Sequence, residues 1–316
     1  MKLIVNWAAS CGGCDVSILD CGKELLNLIE KVEVLYWPVA LDFKRKDLEK
    51  IEDKSVDFGI VNGAIRTSEQ EEELKIVREK CKFLIAYGSC ACFGGIPGLA
   101  NLFERNSILK RAYIEAQSNL NEEGIIPEPE VEMDGYKLNL PEFYNFVRPL
   151  DNVVKVDCYV PGCPPSTSTI QELLNSLPKP DKRFFASDKS LCHECPLNRT
   201  KEAKRVEKFY RPHEVNSDEK CLLEKGIMCL GFATRGGCGA RCISVNMPCR
   251  GCYGKLPAMV DSGDAMSSIA SIAGDWEDYI PTAKIFEVLS SLKDPAGLFY
   301  MFSLPSGVIG RCRGEE

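Results

Sequence analysis

Cysteine content constrains the fold of this chain more than any other sequence feature. The 316 residues include 17 cysteines but only two histidines, His193 and His213. In a reducing compartment, a cysteine count of this size indicates metal binding rather than a disulfide framework. Zinc sites often include histidine, whereas iron–sulfur clusters are held mainly by thiolates. The residue counts therefore favour an iron–sulfur protein over a zinc protein.

Composition and charge exclude several other classes. Hydrophobic residues make up 45% of the chain and charged residues 27%, a balance typical of a soluble globular protein. The net charge is −7 and no Lys/Arg run stands out, which argues against nucleic-acid binding because that binding depends on neutralising phosphates. No apolar stretch reaches the roughly 18 residues of a membrane span. The N-terminal residues lack the features of a signal peptide, so we expect a cytoplasmic protein.

The first half of the chain alternates short apolar runs with amphipathic segments. This alternation predicts an α/β domain, with a parallel sheet and crossover helices. The predicted strands are residues 3–7, 32–37, 56–61, 83–87 and 153–156. The predicted helices are residues 16–29, 46–51, 68–80 and 167–176. Ser68 and Glu71 resemble a capping box, and Leu177-Pro178 is expected to end the last helix.

Two further segments depart from this pattern. Residues 101–150 are rich in proline and predict an insertion with one helix near residues 108–117. Beyond about residue 180 the chain has much glycine and no convincing strand, so we expect metal cross-links to hold it. We therefore predict a first domain over residues 1–180 and a cluster-binding domain over residues 181–316. In the second domain, residues 282–292 predict a helix, and the apolar residues 298–304 predict ordinary core rather than a partner interface.

Four cysteines follow predicted strands and form a first group. Cys11 and Cys14 form a C-x-x-C after the first strand, Cys90 follows the fourth, and Cys163 follows the fifth. Parallel strands deliver their carboxyl ends to one edge of a sheet, so the four thiolates are expected to converge there. Four thiolates are what a 4Fe–4S cluster requires. Glycines in these loops allow close backbone approach to the sulfurs: Gly12, Gly13, Gly88 and Gly162.

Alternatives remain for this first group. Cys92 could replace Cys90 as a ligand, and a C-x-x-C that opens a helix could be a redox dithiol. The loop carries neither a dinucleotide-binding nor a P-loop glycine motif. Asp15 is interpreted as a charge at a helix N-terminus. The cysteines outside the metal groups are predicted to be buried core residues: Cys21, Cys81, Cys92, Cys158 and Cys312.

Eight later cysteines predict two further four-ligand sites. Grouping by nearest neighbours gives one set of Cys192, Cys195, Cys221 and Cys229. The other set is Cys238, Cys242, Cys249 and Cys252. His193 could ligate in place of Cys192, although a solvated surface histidine is the favoured interpretation. Spacing alone does not separate two zinc sites from two iron–sulfur clusters, but the first group favours clusters, since three of them would form an electron relay.

Several motifs resemble the small subunit of nickel–iron hydrogenases over nearly the whole chain. The resemblance lies in residues 10–15, in the run Tyr87-Gly88-Ser89-Cys90 continuing to Gly98, and in residues 161–165. The later cysteine motifs, at residues 192–196, 221–229 and 238–254, are most similar to the gamma subunit of methyl-viologen-reducing, F420-non-reducing hydrogenases of methanogens. The pattern differs from that of periplasmic relatives, in which a histidine stands at the place of Cys192 and the medial site has three cysteines. It also lacks their twin-arginine signal.

The resemblance implies a fold, a set of cofactors and partners. The fold would be a flavodoxin-like parallel sheet domain followed by a small irregular iron–sulfur domain. Three 4Fe–4S clusters would be bound: a proximal one by Cys11, Cys14, Cys90 and Cys163, a medial one by Cys238, Cys242, Cys249 and Cys252, and a distal one by Cys192, Cys195, Cys221 and Cys229. The chain would be an electron-transfer subunit with no catalytic residue of its own for activating hydrogen.

The implied partners follow from the same resemblance. A separate large subunit would bear the nickel–iron centre and face the loops around Cys11, Asn62-Gly63 and Cys90. The acceptor would be a 2Fe–2S delta-type subunit that serves a heterodisulfide reductase. Three alternatives stay open: a small subunit of a deazaflavin-reducing hydrogenase or a sulfhydrogenase, a quinone-oxidoreductase subunit, which shares only the first cysteine pattern, and a zinc-stapled binding module.

Overall fold

A computed structural model describes residues 1–177, 180–197, 206–216, 219–273 and 282–311. Nine strands lie in these ranges: β1 Lys2–Trp7, β2 Glu33–Tyr36, β3 Val56–Asn62, β4 Ile65–Thr67, β5 Cys81–Tyr87, β6 Glu130–Met133, β7 Tyr136–Asn139, β8 Phe143–Arg148 and β9 Cys158–Val160. The described helices are α1 Gly13–Leu19, α2 Lys23–Ile29, α3 Arg45–Glu49, α4 Ser68–Lys80, α5 Ser89–Phe93, α6 Arg105–Tyr113, α7 Thr167–Ser176, α8 Arg241–Ser244, α9 Asp264–Ala270, α10 Thr282–Ser290, α11 Pro295–Phe299 and α12 Val308–Arg311. Short 3-10 helices span Ile96–Leu102, Leu150–Asn152, Leu191–His193, Pro212–Glu214 and Leu304–Ser306.

A five-stranded sheet forms the centre of the first half. Its spatial order is β2-β1-β3-β5-β9, and all its pairings are parallel. Counted along the chain as parallel strands, this is the order 2-1-3-4-5 of flavodoxin-like folds. The predicted α/β class is confirmed. Apolar residues on both faces of the sheet are buried, as expected when helices cover a parallel sheet on each side.

The fifth strand was predicted in the wrong place. Pairing with β5 begins at Cys158, not within residues 153–156. Val153 and Val154 pack into the core beneath the sheet, and Asp157 accepts a hydrogen bond from the backbone of Leu84 at 2.9 Å. The apolar residues 153–156 therefore pack in the core, and the hydrogen-bonded pairing with β5 starts after them.

Two helix predictions need correction. The helix predicted over residues 16–29 is broken into α1 and α2, because the chain turns at Gly22 with a φ of +58°, which ends a helix at little cost for glycine. Helix α4 matches its prediction, but Thr67 is its N-cap and pairs with Gln70 in the capping box, in place of Ser68 and Glu71. The end predicted at Leu177-Pro178 lies partly outside the described residues. Helices α3 and α7 lie within one or two residues of their predictions.

The insertion over residues 101–150 holds more regular structure than its prolines predict. Its helix α6 begins three residues before the predicted start, and β6 and β7 form a hairpin around Asp134-Gly135. An Asp-Gly pair is favoured in two-residue hairpin turns. Strand β8 pairs with β4 in an antiparallel ribbon. Asn101 fixes the insertion, because its side chain exchanges two hydrogen bonds with the backbone of Val147, at 2.8 and 3.0 Å.

Beyond residue 180 the described chain has isolated bridges but no named strand. A hydrophobic cluster nevertheless packs there, so metal cross-links are not the only source of order in this half. The cluster includes Phe299, Tyr300 and Leu304, which confirms that the apolar residues 298–304 belong to core. Helix α10 matches the predicted helix to within two residues, whereas α8 and α9 were missed because each is short. Within the described ranges, no helix has the length and apolar character to cross a membrane.

The two halves meet through specific contacts. The hydroxyl of Tyr253 accepts a hydrogen bond from the backbone of Ser166 at 3.0 Å and lies 2.9 Å from Oγ1 of Thr169. On another side of the junction, Gly95 donates to the carbonyl of Phe302 at 3.1 Å. These contacts place the cysteine-rich second half next to the carboxyl edge of the sheet.

Candidate metal centres

The register of the sheet brings the first cysteine group to one edge. Trp7 pairs with Asn62, Asn62 with Tyr87, and Tyr87 with Val160, so four parallel strands end side by side. The first group follows these ends in three loops or helix starts: Cys11 and Cys14 after β1, Cys90 after β5 and Cys163 after β9. The expected convergence of three separated loops is observed.

The four thiols of this first group interact with one another. Each of Cys11, Cys14, Cys90 and Cys163 lies within electrostatic range of the other three. Burial, and then the neighbouring thiols, raise the pKa of Cys90 to about 12 and raise the pKa of Cys14 and Cys163 as well. Such thiols ionise readily only beside a compensating positive charge, which a bound metal would supply.

Glycines and backbone donors shape the space around the sulfurs. A Cβ at Gly88 would lie 2.4 Å from Sγ of Cys14, and one at Gly95 would lie 2.4 Å from Sγ of Cys90. The backbone N–H of Ile96 donates a hydrogen bond to the Cys90 sulfur. Four thiols, close glycine backbone and N–H donors to sulfur are the environment in which a 4Fe–4S cluster is held and tuned.

Members of the predicted medial set also lie near one another. Cys252 lies within electrostatic range of Cys238 and Cys242, and Cys249 within range of Cys252. The pKa of Cys252 is raised to about 12, mainly by burial. Backbone N–H groups of Ala240 and Arg241 donate to the sulfur of Cys238. Cys249 also lies within electrostatic range of Cys229, a member of the predicted distal set.

The predicted distal set surrounds the buried Cys229. Cys195 and Cys221 lie within electrostatic range of Cys229, whose pKa is raised mainly by burial. The thiol of Cys192, from another loop, lies near that of Cys229. A Cβ built at Gly231 would lie 3.5 Å from Sγ of Cys192 and 3.7 Å from Sγ of Cys229. Backbone N–H groups of Gly231 and Cys249 donate to the Cys229 sulfur.

The three sets touch in one order. Ser89, which precedes Cys90 of the first group, donates from Oγ to the backbone carbonyl of Cys252 in the medial set at 2.7 Å, and Cys163 lies within electrostatic range of Cys252. The backbone N–H of Cys249, in the medial set, donates to Sγ of Cys229 in the distal set at 3.4 Å. The medial set therefore lies between the other two. Within the described ranges, no three His, Cys, Asp or Glu side chains lie close enough together to hold a single metal ion.

Comparison with known proteins identifies the family. The model of the family described as NADH ubiquinone oxidoreductase, 20 Kd subunit, matches residues 11–177. The chain is 36% identical to the iron-sulfur subunit of an F420-non-reducing hydrogenase of Archaeoglobus profundus, over 98% of both chains. It is also 36% identical to one subunit of the F420-non-reducing hydrogenase of Methanothermobacter marburgensis, over 98% of this chain and 96% of that one. The chain belongs to the hydrogenase small-subunit family.

A solved structure supports the fold of this hydrogenase subunit. The H2-activated NiFeSe-hydrogenase of Dm. baculatum matches 81% of the chain and 95% of its own, with a TM-score of 0.50 and 18% identity. The match with the 20 Kd family model ends at residue 177, before the eight later cysteines. That limit agrees with the expectation that a quinone-oxidoreductase subunit shares only the first cysteine pattern.

The cysteines predicted to be structural lie in the core of the hydrogenase subunit. Cys21, Cys81, Cys92 and Cys158 are buried, which confirms their interpretation, and Cys312 lies outside the described residues. Cys92 donates from Sγ to the carbonyl of Ala86 at 3.3 Å, so its thiol is engaged with a strand beneath the loop. The side chain of His193 is exposed, and its Nδ1 lies 3.1 Å from Oγ of Ser190.

Charged residues beside the sulfurs were missed or undervalued by sequence reasoning. Asp15 lies in the first turn of α1 as expected, yet it is buried, and its oxygens accept hydrogen bonds of 2.9 Å from Trp37 and Asn62. Glu194 accepts from the backbone N–H groups of Gly237 and Gly239 at 3.0 Å, which ties the distal loop to the medial loop. The position of Asp15, next to Cys14, is the sequence signal that could have indicated a charged side chain beside the sulfurs.

Proposed function

We propose that this hydrogenase subunit transfers electrons through three 4Fe–4S clusters, between the nickel–iron centre of a large subunit and an acceptor protein. The observation that carries the proposal is the continuous contact of the three cysteine sets, first from Ser89, beside Cys90, to Cys252 and then from Cys249 to Cys229. Electron transfer falls off with the separation of the redox groups, so contiguous ligand sets favour a relay. An isolated structural metal site has no need of such contacts.

In this proposal the residues keep the roles that the resemblance implies. Cys11, Cys14, Cys90 and Cys163 would hold the proximal cluster, Cys238, Cys242, Cys249 and Cys252 the medial one, and Cys192, Cys195, Cys221 and Cys229 the distal one. When bound, each cluster supplies a site that takes up or releases one electron. The protein provides burial, N–H donors to sulfur and fixed charges, which together tune the potential. The proximal set belongs to the proposed domain over residues 1–180, and the others to that over residues 181–316.

The large subunit would cover the carboxyl edge of the sheet. Cys11 and Cys163 are exposed in this chain. Large apolar side chains are exposed near the same loops: Trp7 at 46%, Val16 at 53% and Ile96 at 49%. An apolar patch of this kind, beside a redox site, indicates a protein partner. The loop at Asn62-Gly63 shares this edge, in line with the predicted interface.

The acceptor would bind on the distal side. The names of the full-length relatives favour an F420-non-reducing complex over the deazaflavin-reducing and sulfhydrogenase alternatives. We propose a 2Fe–2S delta-type subunit as the direct acceptor, with heterodisulfide reductase subunits beyond it, and a cytoplasmic complex.

The test is a metal and sulfide analysis of the complex purified without oxygen. Three four-iron clusters contribute about twelve iron and twelve acid-labile sulfide per copy of this chain, in addition to the iron of the partner subunits. Cys163→Ser should remove about four of each, whereas Cys158→Ser, at the buried first residue of β9, should remove none. Co-purification with a nickel-containing large subunit should accompany the iron. Zinc in place of iron, or no change in iron for Cys163→Ser, would overturn the proposal.

A further inference from the structure

A buried carboxylate lies against the first cysteine group. Asp15 is only 1% exposed and follows Cys14 directly in the chain. Trp37 donates from Nε1 to one carboxylate oxygen, and Asn62 donates from Nδ2 to the other, each at 2.9 Å. Two donors, one on each oxygen, hold the carboxylate in a fixed position beside Cys14. The carboxylate of Asp15 acts electrostatically on the Cys14 thiol, as the other three thiols of the group also do.

A half-buried guanidinium lies at the opposite end of the series of cysteines. Arg250 stands between Cys249 and Cys252 in the sequence and lies within electrostatic range of Cys229 and Cys249. Its Nη1 is buried and finds no hydrogen-bond partner among the described residues. An unpaired buried guanidinium nitrogen is costly, and a nearby anionic group would compensate it. The anionic group that this position offers is the sulfur-rich site on which Cys229 and Cys249 converge.

The surroundings of Arg250 add to its positive charge. Arg250 lines a cavity of about 560 Å³ together with Lys208, Arg211 and Lys293, and with one carboxylate, Glu214. Glu214 accepts a hydrogen bond from the backbone of Arg211. Between the two ends, the negative charge of Glu194 acts on Cys238 and the positive charge of Arg250 acts on Cys249. The medial set therefore experiences charges of both signs. Glu194 belongs to the distal loop, but its carboxylate is bound to the backbone of Gly237 and Gly239 in the medial loop. The fixed charge is therefore negative at the first group, of both signs at the medial set, and positive, through Arg250, at Cys229 of the distal set.

From this arrangement we infer that Asp15 and Arg250 grade the redox potentials of the three sites, with Asp15 lowering the potential at the proximal set and Arg250 raising it where the medial and distal sets meet. The inference rests on the proposed function. Each site exchanges one electron with its neighbour and no bond is made or broken. A nearby negative charge opposes the added electron and a nearby positive charge favours it, most strongly where water is excluded. The gradient therefore favours electron flow from the proximal to the distal site.

The test is a redox titration of the holo-complex, followed by the electron paramagnetic resonance signal of each reduced cluster. Asp15→Asn should shift one midpoint potential to a more positive value and leave the most remote signal unchanged. Arg250→Gln should shift a different signal to a more negative value, and Arg250→Lys, which keeps the charge, should shift it less. Trp37→Phe removes a donor but keeps the Asp15 charge, so it should shift the proximal potential in the negative direction, opposite to Asp15→Asn.

Two matched variants control for charge alone. Asp20→Asn removes a carboxylate from the exposed end of the same helix α1, and Arg241→Gln removes an exposed cation next to Cys242. Both should shift the potentials less than Asp15→Asn and Arg250→Gln. Unchanged midpoints in Asp15→Asn and Arg250→Gln, with iron content retained, would overturn the inference and leave the relay intact. Absence of iron from the native complex would overturn the proposed function, and the inference with it.

Discussion

The hydroxyl of Ser89 donates a hydrogen bond of 2.7 Å to the backbone carbonyl of Cys252, 163 positions later in the chain. Ser89 is 1% exposed and precedes Cys90, so this bond joins a ligand loop of the first group to a ligand loop of the medial set. Together with the bond from the backbone of Ser166 to the hydroxyl of Tyr253, it fixes the position of one set against the other.

We predict that Ser89→Ala destabilises this junction. The buried carbonyl of Cys252 would lose its partner, at a cost of about 1–3 kcal/mol. Thermal unfolding, followed by circular dichroism under anaerobic conditions, should show a melting temperature lower by several degrees. Ser271→Ala removes an exposed hydroxyl that bonds within its own helix region, and it should leave the melting temperature nearly unchanged. Equal melting temperatures for both variants would contradict the prediction.

Cys90 and Cys92 should respond differently to replacement by alanine. Cys90 lies within range of Cys11 and Cys163, whereas the Cys92 sulfur bonds to the carbonyl of Ala86 in the core. Cys90→Ala should therefore lose about a third of the iron held by this chain, since about four of the proposed roughly twelve irons would belong to one cluster. Cys92→Ala should retain the iron and lose about 1 kcal/mol of stability. Iron analysis of both proteins decides between them, and the reverse pattern would assign the ligand to Cys92.

Gly88→Ala is expected to disrupt the first group without removing a ligand. Gly88 has a φ of +86°, and an added Cβ would lie 2.4 Å from Sγ of Cys14. Iron content should fall by about four per chain, because Cys14 is pushed out of place. Gly124→Ala is the matched control: its φ is +68°, but no atom lies within 4 Å of the added Cβ. Full iron content in both variants would contradict the prediction, because it would show that a side chain at position 88 does not displace the Cys14 sulfur.

The sequence was sufficient to predict the parallel sheet and the meeting of the first cysteine group at its edge, because both depend on local patterns. Buried parallel strands are short apolar runs, and ligands that follow the ends of such strands must meet at one edge. Residues 153–156 show the limit of this argument. A β-branched run can pack against a core without joining a ladder, and only the partner strand β5 decides that pairing begins at Cys158.

The charged residues around the sulfurs could not be predicted in the same way. Asp15 is distinguished by its partners Trp37 and Asn62, which lie 22 and 47 positions away and reach it only in the folded sheet. Arg250 is similar, since burial of its guanidinium depends on residues from several distant loops. Tertiary neighbours rather than local spacing determine the charge state and the effect of such groups.

A last prediction concerns the pH dependence of stability. Hydrogen bonds from Lys75 and Arg148 lower the pKa of Glu71 to about 2, and the contact with Arg148 ties helix α4 to strand β8. Because the folded-state pKa lies below the ordinary value, ionised Glu71 stabilises the protein above about pH 4.5 and loses this effect as the pH falls toward 2. Glu71→Gln should lower the free energy of unfolding by about 2 kcal/mol at pH 7.

Urea unfolding of native protein and Glu71→Gln between pH 8 and pH 3.5 measures this effect. The difference between the two proteins should stay constant down to about pH 5 and then narrow, since acid protonates Glu71 in the unfolded chain first. Glu72→Gln, which removes the neighbouring carboxylate of an exposed pair with Arg45, should cost less than about 1 kcal/mol. Any acid effect on bound iron is common to both variants and cancels in their comparison. A difference that does not change with pH would show that Glu71 acts through packing rather than through its charge.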